Sequence, residues 1–198
     1  ICYGMTETAP VSAQSSTSDS VEQRVGTVGR VHPHLEIKIV DEQGKVVPRG
    51  QLGELCVRGY SVMLGYWEDH EKSQEVIDSA RWMHTGDIAE MDEAGFVKIK
   101  GRIKDVVIRG GENLFPKEIE DFLYTHPDVS DVQVIGLPDA RYGEELCACI
   151  ILHDRHEITE ESIRQYCAEH ISHNKVPRYV RFFNEFPMTA SGKAQKFK

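Results

Sequence analysis

The chain has 198 residues, 40% apolar and 28% charged, with a formal net charge of −9 at pH 7, a length that suits one large domain or two small ones. The acidic balance argues against a nucleic-acid partner, which needs a basic face. No apolar run approaches the ~20 residues that span a bilayer.

Residues 34–59 are predicted to form a hairpin. His34 to Val40 alternates around Leu35, Ile37 and Ile39, Asp41-Glu42-Gln43-Gly44 turns, and Gly53 to Gly59 returns as a second strand. Glu68 to Ser79 is polar with apolar Val76 and Ile77, the pattern of a surface helix. Trp82 to Asp87 reads as a turn, followed by strands Ile88–Met91 and Phe96–Lys100 closed by Asp92-Glu93-Ala94-Gly95.

After Gly101 the pattern changes. Pro116 to Tyr124 reads as a helix with proline in its first turn and Ile119, Phe122 and Leu123 on one face. Val129–Ile135 and Glu145–Leu152 read as strands, Ile158–His170 as a helix started by Thr159, and Tyr179–Phe183 as a last strand. The expected fold class is α+β: a β-rich piece over residues 1–101, then a small α+β domain over 102–198, with the boundary near Gly101–Asp105.

Five cysteines, Cys2, Cys56, Cys147, Cys149 and Cys167, are an odd number without metal-ligand spacing. Alternation puts Cys147 and Cys149 on one strand face as buried reduced thiols, and an intracellular reducing compartment fits best. His32 and His34 would also share a strand face, but no third metal ligand accompanies them. The chain opens at Ile1 without a cleavable signal or transit peptide, directly in what reads as functional sequence, so a fragment of a longer protein is expected. Residues 171–198 carry six basic side chains against Glu185 alone, a local positive patch able to attract an anion.

Four clusters carry chemistry. Tyr3-Gly4-Met5-Thr6-Glu7 offers an aromatic face, a close-approach glycine, a hydroxyl and a carboxylate, the parts for stacking a base, donating to a phosphate and holding a hard cation. Thr85-Gly86-Asp87 presents a carboxylate that can accept from a vicinal diol, or a turn aspartate that satisfies its own backbone. Gly101-Arg102-Ile103-Lys104-Asp105, followed by Arg109-Gly110-Gly111-Glu112-Asn113, suggests a hinge and a backbone-lined passage, or a charged linker with a hairpin turn. The last is Thr189-Ala190-Ser191-Gly192-Lys193. It is not a phosphate-cradling Walker loop, because position 187 is proline and Ala194 stands where Ser or Thr is required. Lys193 is a compact cation on a flexible stem that can act as a single charge.

In this order and at these separations, the four clusters resemble the core motifs of the adenylate-forming superfamily of acyl-CoA synthetases, luciferases and peptide-synthetase adenylation domains. The resemblance runs over essentially the whole chain. Gly53 to Trp67, Ile108 to Asn113 and Ser191 to Lys198 look most like a medium-chain fatty-acid CoA ligase of mitochondria. The resemblance implies that residues 1–101 are the end of a large AMP-binding domain and 102–198 a mobile lid. It further implies that a carboxylic acid reacts with ATP to give acyl-AMP and pyrophosphate, and that the acyl group then passes to the thiol of CoA.

By the same resemblance Tyr3 lies against the adenine, Thr6 touches the α-phosphate and Glu7 helps hold Mg²⁺. Asp87 binds the ribose hydroxyls, Arg102 contacts the ribose and phosphate region, and Lys193 bridges the attacking carboxylate and the α-phosphate. Lys104 is the implied pivot, and Gly110 and Gly111 leave room for the pantetheine arm of CoA. Arg109 is additionally expected to meet a CoA phosphate. Met188 replaces a residue usually basic in relatives, and Ile108 stands where luciferases carry a second catalytic lysine, which disfavours oxidative activity. The phosphate-binding loop of the family lies upstream of Ile1, so the 198 residues alone are expected to be inactive. The implied partners are a fatty acid, ATP and CoA, and the implied compartment is the mitochondrial matrix, with the cytoplasm as the other option. Two other readings stay open: an adenylating enzyme that loads a carrier-protein phosphopantetheine, and a truncated binding module without catalysis.

Overall fold

The computed structural model describes residues 1–153, 158–189, 192 and 194–196. The fold is α+β, and the chain divides into two compact units, Ile1–Lys104 and Asp105–Lys198.

In the first unit, β1 (Cys2–Tyr3), β2 (Ala13–Gln14) and β3 (Arg30–Val31) form a small antiparallel sheet. Between β2 and β3 lies α1 (Val21–Gly26), whose N-cap Ser20 accepts from the Gln23 amide while the Gln23 side chain accepts from the Ser20 amide. A four-stranded antiparallel meander follows: β4 (Leu35–Val40), β5 (Gly53–Gly59), β6 (Met83–Met91) and β7 (Val97–Arg102). Its apolar face collects Ile39, Leu55, Ala89, Met91 and Val97 into one cluster and Val57, Val62, Ile77 and Met83 into another. Leu35 to Val40 and Gly53 to Gly59 pair as the alternation demands, from Leu35 opposite Gly59 to Val40 opposite Glu54.

Three expectations change here. The helix predicted over Glu68–Ser79 is the shorter α2 (His70–Val76): Glu68 takes a positive φ of 52°, Asp69 caps the first turn, and Ile77 is already extended and bridged to Met83. Residues 82–87 do not turn. Met83 begins β6, and residues 83–91 alternate between buried and half-buried all along the strand. The pairing with β5 shifts register between Glu54 and Cys56, and Gly86 takes up the resulting bulge at φ 71°. His32 and His34 do not share a strand face either, since His34 sits at φ 64° in the turn just before β4.

In the second unit, β8 (Val107–Arg109) and β9 (Glu112–Leu114) make a tight hairpin with Gly110 and Gly111 at its tip, both at positive φ. The helix α3 (Pro116–Leu123) follows, then β10 (Val129–Asp139), β11 (Gly143–Leu152), α4 (Glu160–His170) and β12 (Tyr179–Phe182). β10 pairs antiparallel with β11, whereas β12 runs parallel to β11, and α4 makes the crossover that a parallel pair requires. Ile119 and Leu123 from α3 and Ile163 and Cys167 from α4 bury against Val132, Val134, Leu146, Ala148, Ile150 and Val180 of the sheet. Thr159 caps α4 by accepting from the Ser162 amide. No described helix is long and apolar enough to cross a membrane.

Candidate active site

The first unit brings Tyr3, Asp87 and Arg102 together. The cross-strand register places Asp87 directly opposite Arg102 on β6 and β7, and the Arg102 Nε stands 3.2 Å from Asp87 Oδ1. From β1 the Tyr3 hydroxyl donates to the other oxygen, Oδ2, at 2.6 Å. Burial, and then the charge of Asp87, push the Tyr3 hydroxyl far above its ordinary pKa, so it remains a neutral donor. Asp87 is 7% exposed while half of the Arg102 side chain is open to solvent. Each carboxylate oxygen has two acceptor sites and one is used on each, so Asp87 keeps capacity for a pair of incoming hydroxyls.

The bulge is what aims this carboxylate. Thr85 turns its hydroxyl onto the Leu55 carbonyl at 2.7 Å, and the same oxygen accepts from the Asp87 amide at 3.1 Å, replacing ladder bonds that the register shift breaks. On the other side of Gly86, the Gly86 amide donates to Glu54 Oε1 at 3.0 Å.

Thr6 and Glu7 lie on a single 3₁₀ turn, Thr6–Thr8, held by the buried Thr8 hydroxyl, which bonds both the amide and the carbonyl of Met5. Gly4 lets the chain reach this turn: a Cβ there would stand 1.6 Å from the Pro10 carbonyl oxygen. Thr6 is exposed, whereas Glu7 is half-buried and accepts the Tyr66 hydroxyl at 3.0 Å on Oε1. Burial and then Glu7 raise the pKa of Tyr66, which keeps it a donor. Tyr66 and Thr85 lie within stretches singled out in the sequence, but their supporting roles emerge only from the hydrogen bonds. Tyr66 sits in the Gly65-Tyr66-Trp67 run, where an aromatic beside glycine was the available signal. Lys104 is exposed in the 3₁₀ turn Ile103–Asp105 that closes the first unit.

The remaining sequence candidates belong to the second unit. Gly110 and Gly111 form the hairpin tip already described. Arg109 beside them is not an open cation, because its Nε donates to Glu145 Oε2 at 2.7 Å and its guanidinium lies 4.8 Å over the Tyr142 ring. The expectation of a CoA phosphate contact therefore meets a side chain that is already engaged. Lys193 lies outside the described residues. Its flanks are fixed: Met188 bridges Ala194, the Gln195 amide donates to the Pro187 carbonyl at 2.8 Å, and Lys196 Nζ pairs with Glu120 Oε1 of α3 at 2.6 Å.

Residues 1–67 match the family model described as AMP-binding enzyme, and residues 118–193 match the one described as AMP-binding enzyme C-terminal domain. The chain belongs to the adenylate-forming, AMP-binding enzyme family. Adenylate-forming relatives match it from end to end. Medium-chain acyl-CoA ligase ACSF2, mitochondrial, of Bos taurus is 53% identical over 199 residues, covering 100% of this chain and 32% of that protein. The protein YngI of Bacillus subtilis (strain 168) is 51% identical over 199 residues, 100% of this chain and 36% of that protein. The chain thus spans about a third of the length of the curated relatives it matches. Among solved structures, ATP-bound MatB from Rhodopseudomonas palustris superposes with a TM-score of 0.90 at 35% identity, covering 99% of this chain and 39% of that one. MenE, the o-succinylbenzoate CoA synthetase of Bacillus subtilis, in complex with the acyl-adenylate OSB-AMP, gives 0.90 at 32% identity, covering 98% and 39%.

Proposed function

We propose that the chain is the C-terminal part of a fatty acyl-CoA ligase that joins a carboxylic acid to CoA through an acyl-adenylate, with medium-chain acids as substrates. The observation that carries this reading is the Asp87 carboxylate clamped between Tyr3 and Arg102 with acceptor sites to spare, in a chain matching acyl-CoA ligases over its full length. In this reading residues 1–101 complete the large AMP-binding domain, 102–198 form the lid, and Lys104 is the hinge. The compartment is the mitochondrial matrix, in keeping with the name of the ACSF2 relatives.

The chemistry follows from charge. Two anions, the substrate carboxylate and the α-phosphate, must reach bonding distance. At an effective dielectric of ~20, unit charges ~4 Å apart repel by about 4 kcal/mol. Lys193 supplies a cation at that junction and reverses the sign of this term. Asp87 accepts the two ribose hydroxyls and so fixes the nucleotide, with Tyr3 against the adenine and Arg102 beside the ribose and phosphates. Thr6 donates to the α-phosphate. Glu7 presents carboxylate oxygen, the ligand type that Mg²⁺ takes, and the ion would supply charge neutralisation of the ATP phosphates when bound. Gly110 and Gly111 provide a side-chain-free passage for the pantetheine arm in the second step.

Lys193→Ala in the full-length enzyme abolishes acyl-AMP formation and spares thioester formation from supplied acyl-AMP. Equal loss of both would remove the assignment. Offering free CoA against a carrier protein as acceptor, with saturated acids from acetate to stearate, fixes the acceptor and the chain length.

A further inference from the structure

Among the described residues, one cluster of metal-ligating side chains lies outside the nucleotide machinery: Glu54, Cys56 and His84. Strand geometry builds it. Glu54 and Cys56 alternate onto the same face of β5, and His84 on β6 is the direct cross-strand partner of Cys56. His84 Nδ1 stands 2.7 Å from Glu54 Oε2 and 3.5 Å from Cys56 Sγ, and all three donor atoms lie within 4.8 Å of one another. We propose that Glu54, Cys56 and His84 form a binding site for one borderline divalent transition-metal cation of the zinc type.

The donor set is a carboxylate oxygen, a thiolate sulfur and an imidazole nitrogen, which suits zinc and excludes magnesium as the preferred ion. Tetrahedral coordination at zinc bond lengths sets neighbouring donors about 3.3–3.6 Å apart. The sulfur and nitrogen already stand at that spacing. The nitrogen and oxygen are closer because a proton on Nδ1 bridges them, and the cation takes the place of that proton. Binding therefore releases one proton, that of the Cys56 thiol, while the neutral His84 imidazole carries its proton on Nε2 with Nδ1 on the ion, and the site's two negative charges, on Glu54 and Cys56, match the ion. Glu54 Oε1 remains on the Gly86 amide, which orients the ligating oxygen from behind.

The fourth position is open. A cavity of about 390 Å³ is lined by Glu54, Glu75, Asp78, His84, Thr85 and Gly86, so a water or an exogenous ligand can complete the coordination. Its three carboxylates raise the local concentration of cations. Cys56 itself is fully buried, while Glu54 and His84 retain 19% and 28% exposure as the entry route. Lys38, the β4 partner of Cys56, lies 4.5 Å over the Trp82 ring.

The test uses the full-length protein, stripped with a chelator and titrated with Co²⁺. One equivalent is expected to give a thiolate-to-cobalt charge-transfer band together with the intense visible bands of a four-coordinate ion. Zn²⁺ abolishes the spectrum and a large excess of Mg²⁺ leaves it unchanged. Cys56→Ser and His84→Gln each weaken binding at least about tenfold, and the double variant Cys147→Ser/Cys149→Ser retains the band. X-ray absorption on the zinc-loaded native protein needs no variant and is expected to report one sulfur neighbour with nitrogen and oxygen. Absence of the charge-transfer band, its survival in Cys56→Ser, its loss in the Cys147/Cys149 variant, or two sulfurs around the zinc would each overturn the site. None of these readouts depends on ligase activity.

Discussion

Tyr3 and Asp87 are 84 positions apart in the sequence and meet in a 2.6 Å hydrogen bond. The bond ties the small β1–β3 sheet to the four-stranded meander at the carboxylate itself. Removing one hydroxyl therefore acts on the orientation of Asp87 and leaves the ring in place. Hydrogen bonds to charged groups contribute about 1.5–3 kcal/mol. Tyr3→Phe in the full-length enzyme is expected to raise the KM for ATP at least about tenfold while the KM for the acid stays within about twofold. An unchanged KM for ATP would detach this pair from nucleotide binding.

Lys196, three residues beyond the Lys193 proposed for the adenylation step, pairs with Glu120. Glu120 Oε1 also accepts the Val134 amide at 2.8 Å, so the anchor is itself fixed to α3 and β10. Misplacement of a reacting group by about 1 Å can cost about a hundredfold in rate. Lys196→Met should lower acyl-adenylate formation by about that factor and leave thioester formation from supplied acyl-adenylate intact. A parallel fall in both steps would mean that the substitution unfolds the second unit instead.

Alkaline pH should loosen the first unit. Burial, then the charge of Glu54, push the Cys56 thiol up to about 12 from its ordinary 9.0. The folded protein keeps this proton where the unfolded chain releases it, so the contribution is complete below pH 9 and fades as pH rises towards 12. Urea unfolding across that range is expected to show a steeper loss of stability in the metal-stripped native protein than in Cys56→Ala. Identical slopes would count against it.

The buried carboxylate of Glu145 is 1% exposed, with Arg109 at 2.7 Å on one oxygen and Arg178 at 3.5 Å from the other. Removing one partner of a buried ion pair costs about 3–5 kcal/mol. Glu145→Ala is expected to destabilise the second unit on that scale and to speed amide exchange in the β8–β9 hairpin, since Arg109 is its anchor. Chemical denaturation with hydrogen exchange measures both, and a change under about 1 kcal/mol would mean that the network is solvent-screened.

Much of the fold was legible in alternation and capping. Leu35, Ile37 and Ile39 announced β4, and Thr159 announced the start of α4. The misreadings have identifiable causes. Residues 82–87 read as a turn because Thr85 and Asp87, two polar residues, occupy core-facing positions of a strand, so the binary pattern breaks where the carboxylate is placed. β10 runs four residues past its expected end at Ile135, through Gly136-Leu137-Pro138, because β10 is an edge strand, where proline costs no ladder bond. For the site, the family resemblance pointed to Tyr3, Asp87 and Arg102, but not to their contact with one another. Glu54, Cys56 and His84 were invisible as a set, since only the register of β5 against β6 brings them together.

The parallel pairing of β12 with β11 bears on how the molecule is made. Antiparallel neighbours such as β10 and β11 zip through a short connection, but Cys147 meets Tyr179 across a long connection that contains α4. Closing such a loop is the slow, entropically costly kind of step. Val180 therefore joins this core only once the chain has been made through β12. Truncation between α4 and β12 thus forfeits the Val180 seal of this core.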